Sequence, residues 1–337
     1  MSVPVIAFFN NKGGVGKTSL VYHVSWMMSE LGLCVVAADL DPQSNLSTAF
    51  LEEEPLELLW SANGHDTTIF GAIKPLKEGE SDVAEPKLFK INDRLHLLPG
   101  DMMLSRFEDD LSETWPKCLD GDIRAFRITS AFWRLLQNGA RQCAADVVLV
   151  DLGPDLGAIN RSAMVASDVL VIPLGPDLYS LQGLHNLGPT LGLWRKSWQK
   201  RLKEIPDHNL VMPQGTMKPI GYIVMQHSVR LDRPVKAYDK WVNRMPGDYR
   251  EFVLNESIPE GVKVANDPHC FMLLKHYRSL MPMAQEVRKP IFHLKPADGA
   301  LGAHTYAVQE AYRDFEKLSR EIAKRAGIPI EGAISTE

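Results

Sequence analysis

The stretch FFNNKGGVGKTSL (8–20) restricts what this chain can fold into more than any other. An apolar run, VPVIAFF (3–9), leads into it. A segment with Val21, Val24, Met28 and Leu31 on one helical face leaves it and stops at Gly32. The order is buried strand, glycine-rich turn, helix. At such a turn Gly13, Gly14 and Gly16 let backbone N–H groups approach a phosphate, with the positive end of the helix dipole behind them. Lys17 then lies along the β- and γ-phosphates of a nucleotide and the Thr18 hydroxyl faces Mg²⁺, while Val15 and Ser19 belong to the same cradle. One position breaks the usual G-x-x-x-x-G-K-[ST] spacing. Asn11 stands where the first glycine belongs, and a further cation, Lys12, follows it.

The rest of the chain repeats the alternation. Apolar runs of strand length occur at 3–9, 33–40, 95–99, 146–152, 168–174 and 220–225. They are continuous rather than alternating, which implies burial on both faces, so the expected fold class is α/β: a doubly wound, mostly parallel sheet flanked by helices. With 337 residues, 45% hydrophobic and 23% charged, one domain with insertions fits. Segments 74–87 and 259–270 read as loops, 303–326 as the last helix and 327–337 as a frayed tail. No run approaches the ~18 apolar residues that span a bilayer and no leader segment is evident, so the expected location is cytoplasmic. Cys34, Cys118, Cys143 and Cys270 include no C-x-x-C pair and read as reduced thiols rather than as a zinc knuckle or a disulfide framework.

Two aspartate motifs accompany the loop. DLDPQSN (39–45) follows a strand, and carboxylates at a strand's C-terminal edge face the crevice where α/β sheets bind ligands. VVLVDLGPD (147–155) has the form of a strand ending in a Mg²⁺-supporting carboxylate, Asp151.

With these residues the chain resembles the ParA/MinD class of P-loop ATPases. KGGVGKTS is similar to that family's deviant Walker A motif, with Lys12 five residues before Lys17. A polar residue at position 11 leans towards the ParA side. DLDPQSN is similar to the ParA D-x-D-P-Q-x-N stretch, ASDVLVIPLGPDLYSLQGL (166–184) to its A-D-x-V-x-V-P strand and next helix, and 283–312 to its closing L-A-E-A…G-K-P-I segment. Gly153 departs from the family's D-x-P-P. The surplus over common members lies in 51–95, 100–140, 195–218 and 260–282, so the chain reads as an elaborated member.

The resemblance implies a slow ATPase that uses ATP and Mg²⁺ and works as a sandwich homodimer. Lys17 binds phosphate, Lys12 reaches the partner subunit's nucleotide, and Asp41 directs water. Thr18, Asp39 and Asp151 surround the metal. It also implies a protein partner that stimulates hydrolysis, and sequence-independent DNA binding with association to the nucleoid. Arg230 occupies the place of a DNA-contacting arginine; Glu260 stands where a second is expected, leaving Lys263, Lys275 or Arg278 as replacements. Membrane attachment of the MinD kind is not expected, because the last ten residues hold no Lys or Arg. Of the iron–sulfur branches, the iron-protein branch is disfavoured because Cys118 and Cys143 lie in unmatched surroundings, and the scaffold branch because no C-x-x-C stands near the C-terminus. Charge is uneven: 15 acidic and 6 basic residues in 51–113, against 12 basic and 5 acidic in 192–250. The second stretch suits an anionic polymer. A rival reading makes the chain a nucleotide-gated interaction protein for an effector or signalling complex, with the acidic region as a docking surface.

Overall fold

Each of the six apolar runs forms a strand, and two short strands join them. In chain order these are β1 (Val5–Phe8), β2 (Val35–Asp39), β3 (Phe89–Lys90), β4 (Leu95–Leu98), β5 (Val147–Asp151), β6 (Val169–Leu174), β7 (Lys218–Met225) and β8 (Cys270–Leu274). They form one sheet in the order β3-β4-β2-β5-β1-β6-β7-β8. The pairing is parallel except between β3 and β4. The computed structural model describes residues 2–61, 65–80, 82–207, 210–225, 235–277 and 279–330.

Period-2 alternation divides the core between the two faces. Val5 and Ala7 of β1 and Val148 and Val150 of β5 point to one side. There they meet the helices Ile69–Lys77, Glu108–Lys117, Ala131–Gln142, Ala158–Val165 and Leu178–Leu202. Ile6, Phe8, Val147 and Leu149 point to the other side, towards the helices Lys17–Glu30, Asn45–Phe50, Leu280–Glu286 and Ala303–Arg325. Both sides of the central strands are therefore dry, which is why their sequences run apolar without a break. No described helix is long and apolar enough to cross a membrane.

Three local expectations change. Residues 74–77 are not loop: the helix Ile69–Lys77 runs through them with Pro75 inside it. The Thr68 side chain caps its start, and Ile69, Ile73 and Leu76 bury one face, so packing outweighs the proline. Strand β8 begins at Cys270, inside a segment whose Asn266-Asp267-Pro268 reads as a turn. It is an edge strand with Leu273 36% exposed, and its five residues lack a clear period. Ile328 is buried against the second core, so packing continues beyond the last helix.

Candidate functional site

The adjacent strands β1, β2 and β5 end level with one another, placing Phe8, Asp39 and Asp151 in one row. The glycine-rich turn crosses this edge and the helix Lys17–Glu30 starts from it. Gly14 (φ 73°) and Gly16 (φ 86°) adopt left-handed backbone that disfavours any side chain. Asn11 is not among the positive-φ residues, so position 11 has no conformational need for glycine. Opposite it Gly183 leaves the required room: a Cβ there would lie 2.7 Å from the Asn10 and Asn11 side-chain oxygens. The Asn10 amide donates to the Pro173 carbonyl (2.8 Å) and its oxygen accepts from the Lys12 N–H (3.0 Å), pinning the loop to β6.

Lys17 is buried, and its ammonium donates back to the carbonyls of Asn10 (3.1 Å) and Lys12 (3.3 Å). Burial lowers its pKa, while Asp151, Asp41 and Asp155 act in the opposite direction. Asp151 is fully buried and neither carboxylate oxygen has a hydrogen-bond partner of ordinary geometry, although the nearby Thr18 hydroxyl favours its charged form. Burial and the neighbouring Asp39 push its pKa up to about 8. Asp39 is raised to about 7, chiefly by burial. One of its oxygens accepts from the Ser47 N–H (2.8 Å) and hydroxyl (2.7 Å), and the other has no partner. Asp41 accepts from the Gln43 N–H (2.9 Å) and lines the pocket, with its pKa raised by burial. At position 153 a Cβ would stand 3.3 Å from an Asp41 oxygen, so glycine there leaves that carboxylate uncrowded.

A pocket of about 600 Å³ opens over the loop. Gly13, Gly14, Gly16, Lys17, Thr18, Ser19 and Asp41 form one wall. Met281, Ala284, Gln285, Arg288 and Lys289, from the far end of the chain, form the other. His23 joins the walls: its Nδ1 donates to the Ser19 carbonyl (2.6 Å) and its Nε2 accepts from the Ile291 N–H (3.2 Å). Val15 is buried beneath the loop and can face a ligand through its backbone only. Arg288, at the glycine position of the resembled G-K-P-I, adopts φ 48°, the region that favours glycine.

Lys12 points away from the pocket and pairs with Asp177 at 2.5 Å. Asp177 also caps the helix Leu178–Leu202 by accepting from the Ser180 N–H (3.0 Å). That aspartate, Asn10 and Arg288 were not foreseen as site residues. An aspartate three residues before a serine at a helix start is a cap signal, but nothing local links it to Lys12. Of the DNA candidates, Lys263 is exposed and Lys275 is exposed but paired with Glu310. Arg230 and Arg278 lie outside the described residues.

A family model described as an AAA domain matches residues 3–204. The chain belongs to the ParA/MinD family of P-loop ATPases. This family member is 29% identical over 199 residues to the chromosome partitioning protein ParA of Caulobacter vibrioides, covering 59% of this chain and 66% of that one. It is 27% identical over 265 residues to the sporulation initiation inhibitor protein Soj of Bacillus subtilis, covering 78% and 87%. A longer Rhizobium rhizogenes relative is 32% identical over 164 residues, 48% of this chain, and the chain spans only 37% of that protein's length. Among solved structures, a Corynebacterium diphtheriae protein superposes with TM-score 0.72 at 22% identity, covering 96% of this chain and 98% of that one.

The charge asymmetry of this ParA/MinD-family chain looks different once folded. Arg250 is buried against Asp267 (2.6 Å), and Arg201 is buried over the Trp115 ring. Both belong to the stretch counted as basic. Lys196, Lys200, Lys203 and Lys218 are among its exposed cations, together with Lys240 and Arg244. In the acidic stretch, Glu108 accepts from the Ala158 and Ile159 N–H groups and Asp101 is fully buried, so part of that charge caps helices. Glu52, Glu53, Glu54 and Glu57 stay exposed.

Proposed function

We propose that this chain is a slow, Mg²⁺-dependent ATPase of the ParA type, switching between a monomer and an ATP-bound dimer that holds DNA without regard to sequence. The observation that carries the reading is the row of carboxylates beside the glycine loop, with Asp151 buried and unpartnered next to Thr18. An unpaired buried carboxylate is costly unless a cation or water completes it. A hydroxyl and carboxylates form the hard donor set that suits Mg²⁺. Thr18 would hold the ion directly and Asp151 would support it. When bound, the ion would neutralise charge on the phosphate oxygens.

The chain's own groups supply the remaining steps. Loop N–H groups and the helix N-terminus bind the phosphates, and Lys17 exchanges its two carbonyl partners for phosphate oxygens. Asp41 orients the attacking water at the pocket mouth. Lys12 leaves Asp177 and stabilises the transferring phosphoryl group of the partner subunit's nucleotide. Leu178 (41% exposed) and Tyr179 (72%) follow Asp177 in the chain and offer apolar surface for that partner. DNA partitioning follows the Caulobacter relative, and cargo positioning and a stimulating protein belong to the same reading. The exposed lysines 196, 200, 203, 218 and 263 are the DNA contacts it favours.

The test uses Asp41→Ala protein, expected to bind ATP and remain dimeric, on random-sequence duplex DNA across a salt series. Binding with ATP but not ADP, weakening steeply with salt, is the expected result. An ATP dimer that ignores DNA in both states would instead favour a nucleotide-gated effector protein, docking through the exposed Glu52–Glu57 surface.

A further inference from the structure

The end of the sheet opposite the nucleotide pocket gathers three residues that lie far apart in sequence. Cys34 immediately precedes β2, His96 lies on β4 and Cys143 follows the helix Ala131–Gln142. In the parallel register Val36 pairs with His96, and period 2 puts Cys34 on the same sheet face as Val36. The helix packs on that face, and Cys143 at its end comes down beside them. One ligand atom from each of the three lies within 4.8 Å of the other two, and all three residues are partly exposed.

We propose that Cys34, His96 and Cys143 form a binding site for a thiolate-seeking divalent cation, with Zn²⁺ the best fit. Two sulfurs and an imidazole are three members of a tetrahedral zinc set. With Zn–S near 2.3 Å and Zn–N near 2.0 Å, tetrahedral ligands stand about 3.5–3.8 Å apart, so closure requires shifts of about 1 Å. Partial exposure leaves the fourth position to water. Nδ1 of His96 is buried without a hydrogen-bond partner, an orphan that a ligand at this place would explain. The thiols are held by weak contacts, Cys34 donating to the Cys143 carbonyl at 3.2 Å and Cys143 to the Gly139 carbonyl at 3.6 Å. Asp146 fixes the Cys34 backbone through its N–H (2.7 Å), and Lys90 and Arg94 are the nearby cations. Burial raises both thiol pKa values, so binding must release protons.

The site is distinct from the nucleotide centre. Five residues of extended chain separate Cys34 from Asp39, about 16 Å. A cation here would tie β2, β4 and the helix Ala131–Gln142 together, steadying the strand that carries Asp39.

Reduced, chelator-stripped, nucleotide-free protein would be titrated with Co²⁺. The expected result is one equivalent bound with a sulfur-to-cobalt charge-transfer band, bleached by Zn²⁺. Its affinity should rise up to about a hundredfold per pH unit below the thiol pKa values, for two thiols losing protons. Cys34→Ser and Cys143→Ser should each reduce the band, His96→Gln should weaken Zn²⁺ binding at least about tenfold, and the Cys118→Ser/Cys270→Ser double variant should keep it. A wild-type protein without the band, or a Cys34→Ser variant with the full band, overturns the proposal. Should a variant fail to fold, wild-type protein alkylated with and without Zn²⁺ decides: Zn²⁺ must protect Cys34 and Cys143, and equal labelling overturns the site.

Discussion

Asp151 shows how a single residue can be unfavourable for folding and suited to binding. Its carboxyl is fully buried, with the Thr18 hydroxyl nearby but no hydrogen bond of ordinary geometry, and its pKa is pushed up to about 8. Asp151→Asn removes a charge that the ligand-free fold cannot satisfy, so at pH about 8 and without nucleotide we expect a stability gain of about 1–3 kcal/mol. Mg²⁺ with ATP should then raise the melting temperature of wild type and raise that of the variant much less; calorimetry measures both. Lys12 is a different case, since its side chain is 28% exposed. Lys12→Ala should fold with a loss of less than about 1 kcal/mol and still bind ATP. Hydrolysis should fall by about a hundredfold or more, together with ATP-dependent dimerisation on a sizing column. Wild-type hydrolysis and dimerisation in that variant would rule out its action across the dimer. The importance of both residues was legible from the motifs. The partner of Lys12 was not, because Asp177 lies 165 positions away.

At the scale of elements, the six strands buried on both faces were readable because continuous apolar runs have few other uses. β3 is two residues long and β8 lies at an edge, where burial no longer imposes a pattern. The helices of 100–140 are poorly marked in sequence yet cover much of one sheet face, so they are part of the core rather than an attachment. Helix positions also depend on close backbone approach. A Cβ on Gly188, in the helix Leu178–Leu202, would fall 1.7 Å from the Phe252 carbonyl oxygen. Gly188→Ala should therefore destabilise the fold by about 3 kcal/mol or more, read as a shift in urea midpoint, because a backbone atom cannot step aside as a side chain can.

Over the whole molecule the buried carboxyls set the pH response. Asp39 and Asp151 titrate at about 7 and about 8 in the fold, above the ordinary carboxylate value near 4. Between those limits the native state holds protons that the unfolded chain has released. Their contribution to stability is complete below about pH 4 and lost as pH rises through about 8. The melting temperature of ligand-free protein should carry a falling component over that range, flattened in Asp151→Asn and offset by Mg²⁺ with ATP. The sequence by itself determined the phosphate loop, the extra lysine and the aspartates, since each is a short motif whose chemistry depends on residues next to one another. Tertiary structure alone decided what completes them: the far wall of the pocket, the Asp177 contact of Lys12, and the meeting of Cys34, His96 and Cys143. These follow from strand order and from which face each helix covers, and both are fixed by packing the whole chain at once.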